Sequence, residues 1–313
     1  MFKRLLVLAS GLLLALSVAA PAMAQDPKTF YWVSHGSPTD PVWTYFLAGA
    51  TQWEKDTGNT VNTSFHSGDV PSQQDAIRAA IAAGAAGIVT SSPSEGSLTD
   101  VVAEAHAVGI PVININTPDP EAGFDAYVGT NNVEVGRRWA QYLVDGGYVK
   151  SGDTVFTPVE VAGATYGEQE KAGIMSVFDP LGIKIDAIET GLDQAQIIST
   201  MSDYLTANKD TTAAMIGLGD LVTGSVARVW DQVGIAAGDI PVVGWGNSPD
   251  TTQEITDGFV LAGMWQDPQM TSYLGLSLAA AAAGGIPPGF DVLVGTLYEK
   301  DLAQFYQDVM TVQ

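Results

Sequence analysis

The sequence predicts an α/β protein built on two parallel sheets, each covered by helices on both faces. Three observations predict it. Short apolar runs alternate with segments of helical spacing, and a βαβα rhythm requires a parallel sheet buried between helices. The rhythm restarts near residue 130, so two similar halves follow one another. The chain has 313 residues, 46% of them hydrophobic and none of them cysteine, so two cores must form without disulfides.

The elements read off in order. Phe30 to Val33 is a first strand, ending in Ser34-His35-Gly36. Bulky residues at 42, 43, 46, 47, 50 and 53 have helical spacing, and Thr57-Gly58-Asn59 stops that helix. Val61 to Phe65 is a second strand and Gln73 to Ala83 a helix ended by Gly84. A buried strand at 87–90 precedes a helix at 98–108 and a strand at 110–115. A short strand at 126–128 leads into a helix at 132–145. In the second half, strands fall near 153–157, 184–189, 213–217 and 241–244, with helices near 166–178, 194–207, 220–233 and 249–256. Val260 to Trp265 is a late strand, followed by an Ala-rich helix at 268–283. No low-complexity linker divides the halves, which predicts lobes joined by short crossing strands.

Residues 1–24 read as a secretory signal. Lys3 and Arg4 precede an apolar run from Leu5 to Ala20, and Ala22-Met23-Ala24 fits the small-x-small cleavage rule. The run is shorter than the roughly 20 residues that span a bilayer. A lipid anchor would need a cysteine at the cut, and there is none. The expectation is a periplasmic protein beginning at Gln25. The net charge is -22, from 13 Lys+Arg against 35 Asp+Glu. Such a surface repels phosphate backbones and anionic lipid, which excludes nucleic acid as a partner class.

Enzyme signatures are missing. There is no G-x-S-x-G elbow, no phosphate-binding G-x-x-x-x-G-K loop and no H-E-x-x-H pair, and Val222 stands where a third Rossmann glycine would follow Gly217-Leu218-Gly219. No catalytic residue, cofactor or metal is expected. A secreted carbohydrate-active enzyme needs only two carboxylates and stays open as an alternative.

In open parallel α/β sheets, ligands sit at the carboxyl ends of strands, where helix N-termini also point. Residues just after each strand are therefore the candidates. The first half offers His35, Asp40 and Trp43, then Ser91-Ser92, then Asn116-Thr117; the second offers Glu160 to Glu168, Leu192-Asp193, Gly219-Asp220, Trp245-Gly246-Asn247 and Trp265-Gln266. Singled out among them are His35, Asp40, Trp43, Ser92, Asn116, Glu168, Asp220, Trp245, Asn247, Trp265 and Gln266. None is Lys or Arg. Each has a structural alternative: Trp43, Trp245 and Trp265 as core, Asp40 and Asp220 as helix caps, Asn116 as a turn former, and Glu168 as an exposed helix charge.

At this point the chain resembles the periplasmic sugar-binding proteins of ABC importers, of the ribose/galactose type. Asp40-Pro41-Val42-Trp43 resembles that family's Asn-Pro-aromatic-aromatic helix start, and Gly109-Ile110-Pro111-Val112 its Gly-Ile-Pro-Val strand. Gly129-Thr130-Asn131-Asn132 resembles the stretch where the chain first changes lobes. Pro241-Val242-Val243-Gly244-Trp245 with Ser248-Pro249-Asp250, and Trp265-Gln266-Asp267-Pro268, resemble its Val-Val-Gly-Phe-Asp-x-x-Pro and Gln-x-Pro segments. The resemblance implies the type I periplasmic binding protein fold, two Rossmann-like lobes joined by three crossing strands. It implies a first lobe of 25–131 plus 267–296 and a second of 132–266 plus 297–313. It implies hinge closure around one small ligand, a membrane ABC permease as partner, a chemoreceptor or sensor kinase as a rival partner, and a monomer.

The departures bear on the ligand. The family's Asp-Arg after the fourth strand is Asn116-Thr117 here, and its Arg before a long second-lobe helix matches Glu168. Its Asn-Asp pair is Gly219-Asp220; its Asp after the Val-Val-Gly-aromatic run is Gly246, with Asn247 beside it; Gln266 is kept. Amides, carboxylates and histidine match the dual donor and acceptor character of hydroxyls, and indoles can cover the C–H faces of a sugar ring. An anion would want Arg or Lys. The expected ligand is a small neutral sugar or sugar alcohol. Asp40, Glu168 and Asp220 leave an amine-bearing ligand as the runner-up.

Overall fold

The computed structural model describes residues 26–311. The secretion signal expected at 1–24 lies outside the described residues. In the first half, β1 (Thr29–Ser34), α1 (Pro41–Thr57), β2 (Thr60–Phe65), α2 (Val70–Ala82), β3 (Gly87–Thr90), α3 (Thr99–Ala107), β4 (Val112–Asn116) and β5 (Ala126–Gly129) follow in turn. The second half runs α4 (Asn132–Asp145), β6 (Thr154–Val159), α5 (Thr165–Phe178), β7 (Lys184–Glu189), α6 (Gln194–Asn208) and β8 (Thr212–Gly217). It continues with α7 (Asp220–Thr223), α8 (Val226–Val233), β9 (Val242–Trp245), α9 (Pro249–Asp257) and β10 (Ala262–Trp265). Then come α10 (Pro268–Ala283), β11 (Val292–Leu293), β12 (Thr296–Glu299) and α11 (Lys300–Thr311).

Two six-stranded sheets result, in the orders β11-β5-β4-β3-β1-β2 and β12-β10-β9-β8-β6-β7. Every pairing is parallel except β10 with β12. The chain changes sheets after β5, returns after β10, and changes again between β11 and β12. These are three crossings, as the type I periplasmic binding protein fold requires. Each sheet carries two apolar cores. Phe30, Trp32, Phe46 and Trp53 lie in one first-lobe core, and Ile77, Ile88 and Val101 in the other. Phe156, Met215 and Trp230 lie in one second-lobe core, and Val155, Ile174 and Ile216 in the other. The central strands β3, β8 and β9 are therefore nearly all apolar and buried, whereas the edge strands β2 and β7 are half exposed. No helix among the described residues is long and apolar enough to cross a membrane.

Helix starts are written into the strand ends. Asp40, Ser248 and Asp267 cap α1, α9 and α10, each followed by Pro at the first helical position. The fixed φ of proline suits that position, and its missing N–H costs nothing there. The single helix expected over 220–233 is two. α7 stops at Gly224, and α8 acquires its own N-terminal cap from across the lobe: the Glu254 carboxylate accepts from Ala227 N–H at 3.0 and 3.1 Å. The sequence predicts no strand or helix after residue 283. There β11, β12 and α11 complete the sheet edges and close the second lobe.

α4 and α5 cross at unusually close range because glycines meet at the contact. A Cβ at Gly136 would overlap the Glu170 carbonyl, and one at Gly173 would overlap the Val133 carbonyl. This crossing sets the start of α5 beside the inter-lobe cleft. Gly173→Ala is expected to destabilise the protein by about 1–3 kcal/mol through overpacking. Urea unfolding checks it as a lower midpoint at unchanged slope.

Candidate ligand-binding site

A cavity lies between the lobes, at the carboxyl ends of both sheets. The first lobe contributes His35 after β1, Asp40, Val42 and Trp43 at the start of α1, and Asn116 at the end of β4. The first crossing contributes Asn132. The second lobe contributes Glu160 after β6, Tyr166 on α5, Gly219 and Asp220 after β8, Trp245 and Asn247 around the end of β9, and Gln266 after β10. No lysine or arginine is among the lining residues.

The second-lobe groups are linked in a chain across neighbouring strand ends. Glu160 accepts from the Tyr166 hydroxyl and from Leu221 N–H, both at 3.0 Å. Asp220 accepts from Asn247 N–H at 2.8 Å. The Asn247 side-chain oxygen accepts from Gln266 N–H at 2.9 Å, and the Gln266 carbonyl accepts from the Thr271 hydroxyl at 3.1 Å. A Cβ at Gly219 would run into the Glu160 carboxyl group and displace it.

In the first lobe, Ser91 Oγ sits 2.7 Å from His35 Nδ1 and accepts from His35 N–H at 3.1 Å. Asn116 has a left-handed backbone, with φ of 68°, a conformation asparagine tolerates. Its carbonyl accepts from the Tyr127 hydroxyl at 2.8 Å. Trp43 packs edge-on against His35 with ring centroids 5.0 Å apart, and lies against Phe46 at 4.8 Å. Trp43 thus belongs to the core and to the cavity wall at once.

Burial dominates the electrostatics. It pushes the Glu160 carboxyl up to about 7, against the donated bonds from Tyr166 and Leu221. It pushes Asp220 up to about 6, with the charge of Asp250 adding to it. Asp40 is held well above the ordinary carboxylate range by burial and by the charges of Glu160 and Asp220 across the cleft. The His35 imidazole is lowered to about 4 by burial, so it is neutral at pH 7. Behind the wall, fully buried Glu170 accepts from Trp245 Nε1–H at 3.1 Å, and burial holds its carboxyl well above the usual range. The Trp245 N–H is therefore turned away from the cavity; only its ring serves the wall.

Of the residues expected from sequence, His35, Asp40, Trp43, Asn116, Asp220, Trp245, Asn247 and Gln266 line the cavity. Three do not. Glu168 is exposed on α5 and pairs with Lys171, on the side of the helix turned away from the cleft that Tyr166 lines. Ser92 is buried and donates to Asp119 at 2.6 Å, holding the loop after β3. Trp265 turns into the second-lobe core, its ring 4.9 Å from that of Tyr306 on α11. The lining also includes Glu160, Tyr166 and Gly219, which lie in the strand-end stretches 160–168 and 219–220 but are not singled out within them; sequence reasoning missed Val42 and Asn132.

Two Rossmann-like lobes with a polar cavity between their strand ends define a two-lobed solute-binding protein. Residues 30–287 match the periplasmic binding protein domain family, and the chain belongs to that family. It is similar to a D-ribose/D-allose-binding protein of Pseudomonas aeruginosa, 27% identical over 230 residues, which cover 70% of each chain. It shares its fold with an ABC transporter solute-binding protein from Burkholderia graminis solved with D-arabinose. That likeness has a TM-score of 0.81 at 22% identity and covers 93% of this chain and 98% of that one. It also shares its fold with a carbohydrate transporter protein from Acidothermus cellulolyticus solved with myo-inositol. There the TM-score is 0.78 at 18% identity, covering 90% and 99%.

The raised carboxyls give a signed pH dependence. Folded Glu160 holds its proton up to about 7, whereas the ordinary value is 4.5. The stability this contributes is complete below the ordinary value and is lost as pH rises through the folded one. Glu160→Gln lacks this dependence and keeps an acceptor for Leu221 N–H. Thermal melts of the unliganded protein should show E160Q gaining on the parent by a few degrees as pH rises from about 5 to about 8. A constant difference across that range would contradict the assignment.

Proposed function

We propose that this protein is an extracytoplasmic solute-binding protein. It captures a small sugar or sugar alcohol, free of acidic groups, between its lobes and delivers it to an ABC-type permease. The cavity wall carries the reading. Amide, carboxyl and imidazole groups supply the mixed acceptors and donors that hydroxyls need, and the rings of Trp43 and Trp245 supply apolar faces. The absence of lysine and arginine from that wall argues against sugar phosphates and sugar acids. The ribose, allose, arabinose and inositol named for the relatives support a ligand of this size and polarity.

The lobes that close are residues 25–131 with 267–296 and residues 132–266 with 297–313. The crossing segments near Asn131, Asp267 and Gly295 act as the hinge. Residues 1–24 direct export to the periplasm, and the mature chain works there as a monomer. Capture and hand-over need no covalent step, so no catalytic role is assigned.

A thermal-shift panel of neutral sugars, polyols, aminosugars, amino acids and sugar phosphates tests the reading. A ligand at about 1,000 times its Kd adds roughly 4 kcal/mol of stability. Sugars or polyols are expected to respond; a response confined to phosphates or carboxylic acids would contradict the wall chemistry. Gln266→Ala should weaken binding of the responding solute by about 1–3 kcal/mol and leave the unliganded melt unchanged. Equal affinity would remove Gln266 from the site.

A further inference from the structure

The cavity holds more carboxyl groups than its structure needs. Asp40 comes from the first lobe, Glu160 and Asp220 from the second, and all three line the same space. The charges of Glu160 and Asp220 act on Asp40 across the cleft, so further closure brings like charges together in a poorly solvated space. Nothing nearby balances them. None of the ion pairs among the described residues includes any of the three. Their bonded partners are neutral: Val42 N–H for Asp40, the Tyr166 hydroxyl and Leu221 N–H for Glu160, Asn247 N–H and the Thr251 hydroxyl for Asp220. His35 faces the same space with its Nδ1 engaged by Ser91.

The structural roles do not explain the charge. Asparagine or serine would cap α1 as well as Asp40 does. Glutamine would accept from Leu221 N–H as Glu160 does. Without a cation these buried carboxyls keep their protons, and a cationic group arriving with the solute would pair with them and ionise them. No group of three or more acidic, histidine or cysteine side chains among the described residues is placed to hold a metal ion. An ammonium group answers the geometry better: it donates three hydrogen bonds, and indole faces such as those of Trp43 and Trp245 attract it.

We propose that the solute is an amine-bearing sugar or polyol, whose ammonium group is recognised by Asp40, Glu160 and Asp220. This rests on the sugar reading above and adds a charge to it. The test is titration calorimetry on matched sets: hexoses, their 2-amino-2-deoxy forms and the N-acetyl derivatives, with alditols and their 1-amino-1-deoxy forms. In the set that binds, the amine should bind at least about tenfold tighter than its hydroxyl partner at neutral pH, and N-acetylation should abolish the advantage. Glu160→Gln and Asp220→Asn should each shrink that advantage several-fold while the hydroxyl partner still binds. A merely structural role would weaken both members alike. If hydroxyl members bind as tightly as their amines in every set, the proposal falls and the sugar reading stands. If no member of any set binds to protein that circular dichroism shows folded, both fall.

Discussion

The site depends on one relay of buried hydrogen bonds along the carboxyl edge of the second sheet. Glu160, Asp220, Asn247 and Gln266 follow β6, β8, β9 and β10, and those strands lie in the order β10-β9-β8-β6. Glu160 ties to the first turn of α7, Asp220 to the backbone after β9, and Asn247 to the backbone after β10. Each link satisfies a main-chain N–H that the strand ends would otherwise leave without a partner. In a low-dielectric interior such links hold their atoms firmly, and cutting one exposes the next. Their remaining polar atoms are therefore presented to the cleft from fixed positions. That preorganisation spares the solute much of the ordering cost of binding.

The first crossing is tied to the same edge. The Tyr127 hydroxyl spans the carbonyls of Asn116 and Thr130, both at 2.8 Å. Thr130 then donates to the Asn132 side chain at 2.7 Å. Asn132 reaches Gln169 on α5 at 3.3 Å, and Gln169 donates back to the Pro118 carbonyl at 3.2 Å. One lining residue, Asn132, thus stands at the start of the second lobe while bonded to the last loop of the first. A displacement of one lobe against the other acts on this set, which gives the crossing a direct mechanical link to the cavity.

Most of the fold was legible because parallel sheets write themselves as short apolar runs, and because Asp-Pro and Ser-Pro pairs punctuate the strand ends. The break at Gly224 was not legible, since α8 is capped by Glu254, a residue far along the chain. The final strands and α11 are short or amphipathic, and they form by completing edges built earlier. The site was legible where the strand-end rule applied directly, as at His35, Asn116 and Asp220. It failed where helix phase decides: Tyr166 faces the cleft while Glu168, two residues on, faces solvent. Trp245 and Trp265 both end strands, yet Trp265 is claimed by Tyr306 on α11, a helix the sequence reading did not contain.

The central claim is that two lobes close over one solute at this cavity. Ser94 of the first lobe and Ala162 of the second both line the cleft that adjoins this cavity and shares His35, Asp40, Trp43, Glu160 and Tyr166 with it. The chain has no cysteine, so S94C with A162C carries a pair of spin labels without background. Pulsed dipolar spectroscopy on that pair, with and without a saturating amount of the solute that raises the melting temperature most, is the most direct test. The account predicts that the solute shortens and narrows the distance distribution. A distribution unchanged at saturation would contradict closure.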